Sequence, residues 1–206
     1  MESIITSLIS AVAATIAAIL AYNQYAKNKL TDLKIDKYRR DMDRKFSKRA
    51  DDIACIYSEL YRLLHDLEVD RVYILQPHPL INNLFVTISM QVRRKGVSSM
   101  LDQVHRLPMG EVAAFVGELA KNSWIWVDDL DAHVLDKKAK AIMSVNGTVQ
   151  VVIKKLVDVN NRWIGSLFIE NTEIDPELNT AVRRLEIEEV ANNIQFILPE
   201  YSDFSI

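Results

Sequence analysis

Asp128, Asp129 and Asp131 form a dense carboxylate cluster, inside the stretch "SWIWVDDLDAH" over residues 123–133. Carboxylates at this spacing can ligate a divalent cation. A strand followed by Asp-Asp-Leu-Asp is more simply a helix start, where a short acidic side chain accepts from backbone N–H groups that have no partner in the first turn. We take the cap as the first reading and the cation as the second. The four histidines, His65, His78, His105 and His133, are scattered, and no Walker loop, His-Glu-x-x-His, Cys-x-x-Cys or Gly-x-Ser-x-Gly occurs. Cys55 is the single cysteine, so no intrachain disulfide can form; between Ile53 and Ile56 it is expected to pack as a small apolar residue. Glu170 and Asn171 are expected to end a strand facing solvent. These residues point to no metal, cofactor or nucleophile, and the expectation is a protein that is not an enzyme.

The elements that must position these groups follow from hydrophobic period. Ile53, Ile56, Tyr57, Leu60, Leu63, Leu64 and Leu67 recur at helical spacing and predict a core-facing helix over 51–68. Strands are expected at "RVYIL" from Arg71, "LFVTISMQV" from Leu84 and "SWIWV" from Ser123. Two more flank the polar turn of "VVIKKLVDVNNRWIGSLFIENTE", residues 151–173. A helix from Pro108 to Asn122, a short one after the acidic cluster, and a last one through Ile187, Val190, Ala191, Ile194 and Ile197 complete the order. Short links favour antiparallel pairing, so the expected class is α+β, a sheet covered by helices. Along the last strand both alternating sets are largely apolar, as in a central strand covered on both sides, and Gly165 would leave space above the sheet.

The N-terminal end has a different character. Residues 3–26 carry no charge, and the 19 residues 4–22 at ~1.5 Å rise reach roughly 28 Å, about the thickness of a bilayer core. An uncleaved anchor is expected; a cleaved signal peptide competes, but Glu2 is the one charge before the apolar run where a positive region would be needed. Ser7, Ser10, Ala14, Ala17 and Ala21 share one helical face, which could be a self-association surface in the membrane or mere filler. Residues 27–50 carry ten Lys/Arg and four Asp, a local +6, so the rest of the chain sums to −9 within the overall −3. Lys27, Lys29, Lys34, Lys37, Arg39 and Arg40 are expected to meet anionic lipid, the polyanion nearest an anchor, rather than nucleic acid. Tyr22 and Tyr25 fit the interface. Ile35, Tyr38, Met42 and Phe46 make a thin apolar stripe suited to self-association or to lying on lipid. Basic residues after the span and none before it put the following domain on the cytoplasmic side of a bacterial inner membrane. The expected division is 1–26 anchor, 27–50 helical stalk, 51–200 globular domain and 201–206 tail.

The second half resembles a GAF-like domain. The resemblance is carried by a strand ending in an acidic stretch before a helix, "SWIWVDDLDAH", and by two final strands ending in Gly-x-Leu. It covers about residues 53–198 and implies a sensing module whose sheet can hold a small ligand. His78, Trp126, Asp128, Asp129 and Gly165 are the positions it offers for ligand binding, although a filled core is the preferred state of that space. A narrower resemblance, on "DRVYILQPHPLINNLFVTI", is to GAF-like proteins of tailed phages with one N-terminal transmembrane helix, including T-type holins. It implies a homo-oligomeric effector or regulator of host cell lysis with its domain in the periplasm, opposite to the basic flank. The alternative is a membrane-tethered cytoplasmic sensor or adaptor that binds a small ligand or a protein regulator.

Overall fold

The computed structural model describes residues 2–78, 84–134 and 136–199, without the side chains of 2–21, 26, 28 and 131. The tail expected over 201–206 lies outside them. The first helix, α1, covers Glu2–Asp66, and the chain divides within it into two compact units, Met1–Ala50 and Asp51–Ile206. In the first unit Lys27, Lys29, Lys34, Lys37, Arg39 and Arg40 are exposed. So are Ile35, Tyr38 and Phe46 of the thin stripe, while Met42 is half-buried. Among the described residues no helix is long and apolar enough to cross a membrane. The side chains of the expected span and of its face Ser7, Ser10, Ala14, Ala17 and Ala21 fall outside those residues.

The second unit is α+β. Strands β1 (Arg71–His78), β2 (Phe85–Arg93), β3 (Leu107–Pro108), β4 (Trp124–Val127), β5 (Gln150–Val157) and β6 (Trp163–Asn171) form one sheet in the order β3-β2-β1-β6-β5-β4, antiparallel throughout. The hairpin β5–β6 thus puts its second arm at the centre, against β1. Alternation along the strands divides the apolar side chains between two faces. Val72, Ile74, Leu167 and Ile169 join Ile56, Leu60 and Leu63 of α1 with Ile187, Val190 and Ile194 of α5 (Ala181–Gln195). Tyr73, Leu75, Ile153 and Phe168 point the other way, under α2 (Ala113–Lys121), α4 (Lys137–Val145) and the connection from β2 to β3. Two separate cores on one central sheet explain why β6 reads as apolar on both sides.

Local chemistry fixes the ends of these elements. A 3-10 turn, Met109–Val112, leads into α2, and α3 (Leu130–His133) precedes α4, where one short helix was expected. Asp136 starts α4 by accepting from the backbone N–H groups of Lys138 at 3.0 Å and Ala139 at 3.1 Å, a cap worth about 1 kcal/mol. The Lys155 ammonium donates to the Ala120 carbonyl at 2.6 Å, a cation at the negative end of α2. In the β5–β6 turn the Asp158 carboxylate accepts from the N–H groups of Asn160 and Arg162, and Asn161 takes the left-handed conformation that asparagine tolerates.

Gly165 does not leave space for a ligand. A Cβ there would sit 2.8 Å from the Leu75 carbonyl oxygen, 3.3 Å from Gln76 Cγ and 3.7 Å from Leu198 Cδ2, so β1 and the segment after α5 already fill the position. Cys55 is also not in the core; it is exposed on α1. Gly165→Ala should therefore destabilise the domain by about 1–3 kcal/mol, the usual cost of overpacking. Urea unfolding should show a lower midpoint at constant slope, and an unchanged midpoint would mean that β1 yields at no cost.

Candidate functional site

Register places Arg71 of β1 opposite Glu170 of β6, with Tyr73 opposite Phe168 one pleat along, all on the face under α2 and α4. Neither charged side chain reaches water: Arg71 and Glu170 are each 1% exposed. The Glu170 carboxylate accepts from Arg71 Nε at 2.8 Å and from its Nη2, from the Tyr73 hydroxyl at 2.6 Å, and from the Thr148 hydroxyl at 3.1 Å. Arg71 spends its remaining donors on the two elements above it. Nη1 donates to the Ser98 carbonyl at 2.7 Å and to its hydroxyl at 3.3 Å, and Nη2 donates to the Thr148 hydroxyl at 2.8 Å. A buried ion pair survives desolvation only where its polar atoms are matched in this way. Burial, followed by the Glu170 charge and the hydrogen bond to it, raises the Tyr73 phenol well above its usual range, so it stays a neutral donor.

The network continues upward into the covering layer. Ser98 Oγ donates to the Asn146 carbonyl at 2.9 Å, and the Asn146 amide donates to Gln103 Oε1 and to the Ile142 carbonyl, each at 2.8 Å. Gln91 of β2 donates to Ser99 Oγ and accepts from the Met100 N–H. The connection over residues 94–106 is thus tied to the sheet and to the C-terminal end of α4 through side chains.

Beneath that connection lies a cavity of about 40 Å³ lined entirely by apolar residues, among them Leu75, Met100, Val104, Phe115, Met143 and Phe168. Tyr73 also lines it, with its ring stacked on Phe168 at 4.7 Å between centroids and its hydroxyl turned to Glu170. A space of this kind stays dry, because a water there would find no polar partner.

None of the five residues expected to bind ligand lines this cavity. Trp126 and Gly165 belong to the opposite face: Trp126 stacks on Trp124 at 5.5 Å with the Arg184 guanidinium 4.5 Å above its ring. His78 is not a loop histidine but ends β1, buried, with Nε2 2.7 Å from the Thr87 hydroxyl and its ring against Phe85. Asp128 accepts from Gln150 Nε2 at 2.7 Å and thereby ties the end of β4 to β5. Asp129 begins α3, its carboxylate 3.4 Å from the Ala132 N–H, which is the geometry of a helix start. No group of three or more potential metal ligands occurs among the described residues.

Glu170 and Asn171 overturn the expectation that they face solvent, since both are buried. Asn171 Oδ1 accepts from the Asp70 N–H at 3.2 Å, and Glu170 is the hub of the network. The signal in the sequence was an arginine opening one central strand and a glutamate closing another, which antiparallel pairing can bring face to face.

No family model matches the chain, and no curated protein does. Solved structures do. The third GAF domain of Slr1393 from Synechocystis, in its photoproduct state, is 12% identical over 70% of this chain and 90% of that one, with a TM-score of 0.56. The PixJ GAF domain of Thermosynechococcus elongatus in its blue-light-absorbing form is 16% identical over 72% and 83%, at 0.56. A domain of a two-component sensor histidine kinase from Sinorhizobium meliloti is 14% identical over 68% and 85%, at 0.52. At these identities the likeness establishes the fold, which is GAF-like.

Removing one partner of the buried pair should cost about 3–5 kcal/mol, because the other charge is stranded. Arg71→Met and Glu170→Gln should each lower the urea midpoint sharply, and Tyr73→Phe by about 1.5–3 kcal/mol, the range for a hydrogen bond to a charged group. Arg71→Met combined with Glu170→Leu should be more stable than Arg71→Met alone. A double variant as unstable as the sum of its singles would contradict the pairing.

Proposed function

We propose that the chain is a non-enzymatic, membrane-tethered sensor or adaptor whose GAF-like domain lies in the cytoplasm and responds to a small ligand or a protein regulator. The observation that carries this reading is the inner face of the sheet. It offers an apolar recess under the connection over residues 94–106, and its Arg71, Glu170 and Tyr73 side chains are spent on one another, on Ser98 and on Thr148 rather than presented to a substrate. The similarity in fold to domains of photoreceptors and of a sensor kinase supports the same reading. The uncharged residues 4–22 supply the tether, and Lys27, Lys29, Lys34, Lys37, Arg39 and Arg40 favour anionic lipid on the cytoplasmic side.

A holin-type effector would act instead through helix packing at Ser7, Ser10, Ala14, Ala17 and Ala21. The described residues lend that reading nothing.

The full chain should fractionate with bacterial membranes and require detergent for release. A single cysteine placed near the C-terminus in a Cys55→Ser background should resist an impermeant thiol reagent in spheroplasts until lysis, with the membrane potential intact. Recovery of the full-length chain in the soluble fraction would remove the tether. Labelling before lysis, with a collapse of potential that Ala14→Leu and Ala17→Leu together prevent, would favour the holin reading.

A further inference from the structure

At the end of the sheet where β1 begins and β2 and β6 finish, the surface opens into a polar cleft of about 590 Å³. It shares no lining residue with the apolar recess on the inner face. The segment from Thr172 to Glu177 forms one wall, and polar groups hold it in place. The Asp70 carboxylate accepts from the Thr172 N–H at 2.8 Å and from its hydroxyl at 2.6 Å. Gln150 takes both backbone groups of Asp175, accepting from its N–H at 3.0 Å and donating to its carbonyl at 3.1 Å. The Asp175 carboxylate pairs with Arg183 of α5 and accepts from the Glu177 N–H at 2.9 Å, while Arg183 also faces the Glu177 carboxylate at 3.8 Å. The wall is therefore built in advance of any ligand, which is the usual condition of a small-molecule site.

Three further charged groups of the lining take no part in this construction. Glu68, Arg94 and Glu173 are exposed and make no ion pair among the described residues. Sheet order separates them by sign: Arg94 follows β2, Glu173 follows β6, and Glu68 precedes β1, which runs between those two strands. The ends of β2 and β6 are thus two strand spacings apart, roughly 10 Å, a gap that the two side chains and an extended molecule between them can bridge. Five carboxylates against two guanidiniums leave the lining at a net −3, which favours a cation and disfavours phosphates. The Arg94 guanidinium still offers its planar fork to a carboxylate. We infer that the cleft binds a basic amino acid, with its α-carboxylate on Arg94, its α-ammonium on Glu68 and its side-chain cation on Glu173. The floor joins the cleft to the buried pair: Asp70 and Asn171 adjoin Arg71 and Glu170 in the chain, and the Arg94 N–H donates to the Asp70 carbonyl at 2.9 Å. Naming this ligand class deepens the sensor reading and rests on it for its biological sense, but binding is tested apart from the membrane.

L-Arginine is the probe, with agmatine, which lacks the carboxylate, and L-glutamate beside it, each titrated into the full chain in detergent at about 0.15 M salt. L-Arginine should give saturable NMR shifts at the Arg94, Thr172 and Glu173 amides, while the Met100 and Met143 methyls of the apolar recess stay unmoved. L-Glutamate should not saturate. Arg94→Gln should weaken arginine at least about tenfold, a loss of ~1.4 kcal/mol, and should not weaken agmatine, whereas Glu173→Gln should weaken both. The two side chains are exposed, so each variant should keep the urea midpoint of the parent chain. Shifts that do not saturate, saturable binding of L-glutamate, or an Arg94→Gln variant that loses agmatine as much as arginine would overturn the site. Such a failure in a chain that still fractionates with membranes would leave the tethered reading standing, and saturable arginine binding by a chain found in the soluble fraction would support the cleft without the tether.

Discussion

A guanidinium and a carboxylate removed from water at the centre of a sheet impose the main constraint on this domain. Isolated, either charge would destabilise the fold severely; together they require every remaining donor and acceptor to be matched. Arg71 and Glu170 meet that requirement only because β1 and β6 pair in a register that sets them opposite each other, and because Tyr73, Thr148 and Ser98 arrive from three further positions. A slip of one residue between the two strands would turn one charge to the opposite face, against α1 and α5, and leave the other buried alone. The pair therefore specifies strand register as well as holding the covering layer.

The same constraint separates the two faces in character. Under α1 and α5 the sheet meets aliphatic side chains in close packing, to the point that Gly165 cannot accept a methyl group without moving β1. Under α2, α4 and the connection over 94–106, packing leaves a small apolar recess, and polar ties from Arg71 reach the covering layer. One face is built for rigidity. The other combines an apolar interior with hydrogen bonds that tie the covering layer to the sheet.

Much of the architecture was legible in the chain. The hairpin over 151–173, the helix over 51–68, the last helix and the antiparallel class all follow from periodicity and turn chemistry, and the structure bears them out. The site was not legible, for a physical reason. Local pattern assigns charged residues at strand ends to solvent, and so it placed Glu170 outside and passed over Arg71. Their partnership spans 99 positions of sequence and exists only after β1 and β6 have found each other. His78 and Gly165 misled for the same reason: a histidine between two prolines looked like a loop residue, and a glycine in a strand looked like free space. Tertiary neighbours, Thr87 for one and the Leu75 carbonyl for the other, decided both.

The most direct measurement of the central constraint is the exchange behaviour of the Arg71 Nε–H by NMR. This proton is hydrogen-bonded to a buried carboxylate, so its resonance should persist in D₂O long after those of the exposed Arg39 and Arg94 have gone. An Arg71 Nε–H that vanishes as fast as those of the exposed arginines would contradict the buried Arg71–Glu170 pair on which the covering layer is tied.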